Sequence, residues 1–210
     1  ILASGYVEFD GWDFGPLFST VGFNAVEGWR VRAGGRTYFT PNDRWRIEGY
    51  GAYGFKDNKF KYGVSGKYLV DRKSRLIVSA GNRRDVEQLG ASLTNTNDVE
   101  GRSLASSSII TTGDNNRLTS INLTALSMQI EPRKNLTFGV TTSFRTLQPA
   151  DRSLFSLDFF DPETGELKSE IKQTEIATQL TYTPKRKTTG YGVDRIVVND
   201  GDYPTLFLNY

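Results

Sequence analysis

The side chains best placed to do chemistry in this chain are basic. Arg30, Arg32, Arg36, Arg44, Arg46, Lys61, Lys67 and Arg75, with Arg83 further along, fall at alternate positions within successive segments. Glu48 is the one acid that shares their phase. Cations gathered on one surface focus a positive field, which suits bound anions or an acidic plug. The competing expectation is that carboxylates from other strands or from a plug neutralise them, as with many charges inside a pore. Both readings stay open at this point.

Composition excludes much else. There is no Cys, so there is no disulfide and no thiolate chemistry. There is no His, which removes Ser-His-Asp and Cys-His nucleophiles, imidazole zinc sites and histidine acid–base work. No glycine-rich phosphate loop occurs. Asp and Glu fall mostly in turns, which argues against a carboxylate-pair hydrolase. The expectation is a chain that is not an enzyme and uses no metal and no cofactor. Lys and Arg number 26 against 24 Asp and Glu, a net charge of +2 that gives no sign of a nucleic-acid partner.

The elements that position the basic residues are strands. In WRVRAGGRTYF, RWRIEGYGAYGF and KFKYGVSGKYL the residues between the charges are apolar: Trp29, Val31, Ala33, Thr37 and Phe39, then Trp45, Ile47, Tyr53 and Phe55, then Phe60, Tyr62, Val64 and Tyr68. A period of two over such lengths means strands with one apolar and one charged face. Aromatics sit towards the ends of the apolar face, with glycine and aliphatic residues between them. Trp29, Phe39, Trp45, Tyr53, Phe55, Phe60, Tyr62 and Tyr68 therefore suit the two girdles of a membrane-spanning sheet facing lipid. Leu136 is expected on the same lipid face, and Arg32, Arg46, Glu48, Lys61 and Lys67 on the lumenal one.

The pattern predicts strands at 29–39, 44–55, 60–69, 75–83, 118–130, 136–146, 171–183 and 203–210, with a further one at 2–9. TPND (40–43), DRKS (71–74) and EPRKN (131–135) read as tight turns on one rim. Segments 84–117 and 147–170 read as long extracellular loops on the other. KDNK (56–59) is short on the long-loop side, and 184–202 is long on the tight-turn side. Within the loops, SIIT (108–111) reads as a strand extension. Leu154, Phe155, Leu157, Phe159 and Phe160 suit either a cap or a partner contact, and DPETGE reads as a turn. Mean hydropathy is −0.44 and no apolar run approaches a membrane helix, which does not exclude a barrel, since half its residues face water.

Several stretches resemble a family of Bacteroidota outer-membrane proteins that carry a carboxypeptidase-regulatory-like N-terminal domain and a C-terminal barrel of unknown function. They are GPL (15–17), FNAVEG (23–28), GGRT (34–37), EGYGAYGFKD (48–57), KYG (61–63) and YPTLFLNY (203–210). Ala25 stands where that family usually has proline. The barrel is also distantly similar to the surface-antigen superfamily of assembly and translocation pores. The resemblance implies a longer parent and brings no catalytic residues.

The expected fold is thus all-β: residues 1–210 form part of one antiparallel up-and-down transmembrane β-barrel in the cell outer membrane of a Gram-negative bacterium. Unpaired edges cannot persist in lipid, so further strands are expected to complete it. The expected role is transport, envelope assembly or scaffolding, with membrane lipid and other outer-membrane or periplasmic proteins as partners. The alternatives are a structural barrel that binds proteins through its long loops, and a soluble β-sandwich or lipocalin-like binder.

Overall fold

The computed structural model describes residues 6–15, 17, 20–88, 117–199 and 203–210. Its strands are β1 (Val7–Phe9), β2 (Gly11–Phe14), β3 (Val21–Asn24), β4 (Gly28–Tyr38), β5 (Trp45–Gly54), β6 (Lys59–Asp71), β7 (Leu76–Gln88) and β8 (Leu118–Arg133). They continue with β9 (Leu136–Pro149), β10 (Phe159–Phe160), β11 (Leu167–Lys168), β12 (Ile171–Tyr182), β13 (Lys187–Thr189), β14 (Ile196–Asn199) and β15 (Leu206–Asn209). Among the described residues there is no α-helix.

Among the described residues eleven strands form one antiparallel sheet in the order β1-β2-β4-β5-β6-β7-β8-β9-β12-β15, with β3 beside β4. From β4 to β9 the spatial order is the chain order, so neighbours are joined as hairpins. Local chemistry sets the turns. The Asp43 carboxylate accepts the amides of Phe39 and Thr40 at 3.1 and 2.8 Å. Asp71 accepts the Ser74 amide at 2.8 Å. Asn58 and Asn135 supply the left-handed residues of two further turns. β10–β11 and β13–β14 are separate small hairpins.

Burial on this sheet is inverted. Ile47 and Val64 are 48% and 49% exposed, whereas Arg30 on the opposite face is 2% exposed. In a flat sheet β4 and β7 would stand ~14 Å apart, three strand spacings. Yet Arg30 of β4 meets Asp85 of β7 at 2.6 Å, so the sheet curls around its charged face. A close approach assists this. A Cβ on Gly63 would lie 2.3 Å from the Tyr50 ring, so glycine lets that ring lie across β6 towards Asp85.

The sheet is not closed into a barrel: among the described residues β1 and β15 are its edges and do not pair with each other. Several expected boundaries shift. β7 runs on to Gln88 and β9 to Pro149, so the first loop begins later than 84, and the second begins after 149 and contains the β10–β11 hairpin. The last strand is only Leu206–Asn209. β2 and β3 add two short strands, and the strand expected at 2–9 appears as Val7–Phe9 with residues 2–5 outside the described ones. Residues 89–116, including 108–111, also lie outside them. Thr37 is buried rather than exposed, its hydroxyl accepting the Ile47 amide at 3.0 Å.

Candidate functional site

The inner face has two ends. At the long-loop end, the turn between β3 and β4 delivers an acid. Asn24 Oδ1 accepts the amides of Val26 and Glu27 at 3.1 and 2.7 Å, and Gly28 leaves the turn at φ 65°. This folds Glu27 inward until it is fully buried. Its carboxylate takes Asn24 Nδ2 at 2.7 Å, Lys61 Nζ at 2.7 Å and Arg30 Nη1 at 3.2 Å. Arg30 then forks onto Asp85, at 2.6 and 3.0 Å, and the Tyr50 hydroxyl donates to the same carboxylate at 2.6 Å. Lys61 also reaches Asp57 at 2.6 Å, and Arg83 meets Glu87 at 2.9 Å. The Arg32 guanidinium stacks 4.0 Å above the Tyr50 ring. Buried charges persist only when paired and hydrogen-bonded in this way. Beside the ions, Ile121, Leu123 and Leu147 form a small apolar cluster on the same face.

At the tight-turn end the inner face is open. Residues 190–195 fold back from the connection after β13 and lie against it as a strap. Arg75 donates to the Gly192 and Val193 carbonyls at 2.5 and 2.9 Å. The Val193 amide donates to Asp43 O at 2.7 Å, and the Tyr191 amide to Asn42 Oδ1 at 2.9 Å. Gly192 is needed here, since a Cβ would stand 2.4 Å from Pro41 O. Asp194 closes the strap onto the sheet, at 2.8 Å from Arg46 Nε and 3.1 Å from Lys67 Nζ. Burial opposes ionisation of Asp194, but the Lys67 charge and the Arg46 hydrogen bond outweigh it and hold the carboxyl below its ordinary range. Between strap and sheet lies a cavity of about 450 Å³, walled by Ser65, Ser79, Ser127 and Thr141 beside these cations.

The outer face carries the aromatics in two rows. Trp45 pairs with Tyr68 across β5 and β6, and its ring lies 5.7 Å from Phe39. Tyr53 pairs with Phe60 and with Val31, and its ring lies 5.4 Å from Phe55. Phe23 pairs with Trp29 near that second row, 5.5 Å between rings. Ile47, Gly49 and Gly51 separate the rows on β5.

Residues 6–210 match the C-terminal domain of a family of unknown function, DUF5686. The chain belongs to that family. No curated protein and no solved structure matches it.

In this DUF5686 domain the expected basic residues share one face with a single exception. Arg30, Arg32, Arg46, Lys61, Arg75 and Arg83 are buried, and Arg36 and Lys67 are half-buried. Arg44 is exposed: it precedes β5, in the turn, where the alternation of the strand no longer directs its side chain. Glu48 is not the only inner acid. Asp13 pairs with Arg36 at 2.9 Å, and Glu27, Asp57, Asp85, Glu87 and Asp194 hold Arg30, Lys61, Arg83, Arg46 and Lys67. Asp13 and Glu27 lie before the first charged strand, Asp85 and Glu87 where a loop was expected, and Asp194 on the strap. The pattern N-x-x-E-G at 24–28 is the sequence signal that would have found Glu27, because Asn builds such turns. Of the girdle, Trp29, Phe39, Trp45, Tyr53, Phe55, Phe60, Tyr62 and Tyr68 are all exposed, joined by Phe9, Trp12, Phe14 and Phe23. Leu136 is half-buried. Among the described residues no cluster of three or more acids is placed to hold a metal ion.

Proposed function

We propose that this domain is an arc of an outer-membrane β-barrel that serves transport or envelope assembly without enzymatic chemistry. The inverted burial carries the reading. A soluble sandwich or lipocalin-like sheet buries its apolar face and hydrates its charges. Here Trp29, Ile47, Val64 and Leu126 are exposed while Arg30, Lys61 and Glu27 are buried. Lipid is the solvent in which that arrangement is favourable. The two aromatic rows support it. From Trp45 to Tyr53 the strand rises ~26 Å, which tilted by ~40° spans ~20 Å of bilayer. The open edges at β1 and β15 are then completed by further strands, of the same polypeptide or of a partner in the outer membrane.

The tight-turn rim faces the periplasm and the long loops face outwards. Among the described residues the long-loop end of the lumen is filled by side chains of the strands and of the turns beside them, and the periplasmic end is covered by a strap. That asymmetry favours a gated passage, entered from the periplasm, over an open diffusion pore. Scaffolding is the second reading, favoured by the exposed Phe160 and Leu167 on the β10–β11 hairpin.

The test is depth-resolved spin labelling of the intact protein in outer-membrane vesicles. Labels at positions 47, 64 and 126 are expected to collide with oxygen and to be shielded from a water-soluble nickel chelate. Labels at 65 and 127 are expected to show the reverse. Chelate access at 47 and 64 would defeat the membrane reading.

A further inference from the structure

We propose that the cavity beneath the strap is a binding site for a phosphate ester, and that Asp194 occupies it as an internal stand-in. Arg46, Lys67, Arg75 and Arg195 border the cavity. Two carboxylates answer them: Asp194 bridges Arg46 and Lys67, and Glu131 takes Arg195 at 2.8 Å. Arg75 spends two donors on the neutral carbonyls of Gly192 and Val193. Among these described residues there are two more cations than anions, and a partly enclosed space with that imbalance recruits an anion.

Asp194 shows where the anion sits. Its two oxygens already lie on two different cations, the geometry an incoming oxyanion would reproduce. The side chain is 44% exposed, so a competitor can reach it and swing it out. The hydroxyls of Ser65, Ser79, Ser127 and Thr141 line the sheet side of the cavity. Hydroxyls and cations arriving from several directions suit a tetrahedral phosphate better than a planar carboxylate. The volume of about 450 Å³ lies within the ~300–1,000 Å³ of small-molecule sites, so the phosphate carries an organic body. The membrane reading enters only in saying that this ligand arrives from the periplasm. The site itself does not depend on it.

Titration calorimetry on the intact protein in zwitterionic nanodiscs tests the site, with glycerol 3-phosphate as probe and chloride at matched ionic strength as reference. Saturable heat is expected with the ester alone. Asp194→Asn removes the internal competitor and is expected to tighten the ester ~10-fold, while Lys67→Gln weakens it by about as much. Asp194 is on the strap, so its variant tests the idea even if Lys67→Gln fails to fold. A carboxylate that merely pins the strap would give no gain. Heat equal to that of chloride, or an Asp194→Asn protein that binds no tighter, overturns the proposal. A short-chain phosphatidic acid below its micellar concentration separates the sources. Binding much tighter than glycerol 3-phosphate marks a lipid headgroup, and equal binding marks a free ester. The spin-label result at position 47 reads the membrane proposal separately.

Discussion

The two ends of the inner face use the same cations in opposite ways. At the long-loop end Arg30, Lys61 and Arg83 meet carboxylates held by strands and by the tight turns next to them. At the tight-turn end Arg46 and Lys67 meet a carboxylate on a strap that is anchored mainly through its backbone. The first end is dry and fixed by the ladder. The second keeps a cavity and a partner that water can reach. Charge is therefore structural where the partner cannot leave, and available for binding where it can.

The largest effect that separates the ends is expected from Asp85→Ala. It takes the bidentate partner from the buried Arg30 guanidinium, leaving Glu27 at 3.2 Å, and removes the Tyr50 contact, a loss of about 3–5 kcal/mol. Urea unfolding of the full chain in detergent, followed by tryptophan fluorescence, measures it. A loss below ~1 kcal/mol, the value for a hydrated pair, would mean that the long-loop end is as wet as the strap.

Next comes arginine placed on either side of the same region. Ile47→Arg is expected to cost about 2–4 kcal/mol in a folding titration into lipid vesicles. Ser127→Arg, on the open inner face, should be tolerated. Equal costs would erase the distinction between the faces.

Backbone packing gives a smaller contrast. Gly63→Ala forces the Tyr50 ring off Asp85 and should destabilise by about 1–3 kcal/mol. Gly139→Ala lies at the open end, where a Cβ would meet only Met128 O at 3.9 Å, and a change within ~0.5 kcal/mol is expected. Paired thermal melts decide whether packing really differs between the ends.

At the strap itself the expected effect is small. Asp194→Asn is expected to cost no more than about 1 kcal/mol, discounted for its exposure to solvent. Its carboxyl is held below the usual value, so its contribution is present above the unfolded pKa of ~3.9 and is lost as pH falls through the lower folded one. The protection of residues 190–195 against hydrogen exchange, relative to the intrinsic rate at each pH, should therefore fall below about pH 4. Unchanged protection there would show that the backbone contacts alone hold the strap.

The strands were legible where alternation was clean. From Trp29 to Tyr68 each apolar residue answers a charged or small one, and β4, β5 and β6 appear within a few residues of the expected ends. β7 was cut short because Arg84, Asp85 and Glu87 read as a polar loop, whereas the inward acids complete the pairs of Arg30 and Arg83. β2 and β3 span four residues each, too few for a period to register. The strap has no period at all. Its position depends on Arg75 reaching a carbonyl 117 residues further along, a pairing no local pattern encodes. The face of each basic residue was therefore readable, except for Arg44 at a turn, while the identity of its counter-charge was not.

The Arg30–Asp85 bond also constrains the order of biogenesis. Its partners are 55 residues apart in the chain, with β5 and β6 between them. Under the proposed membrane placement, a nascent β4 that entered lipid before β7 would hold Arg30 through Glu27 alone, without the bidentate Asp85 partner, which favours arrival of the hairpins from β4 to β7 as one cooperative packet. Contacts of such long sequence separation form slowly. On that proposal the outer surface stays exposed to water until these contacts form, and a holding chaperone present over that interval is expected to raise the yield of folded domain.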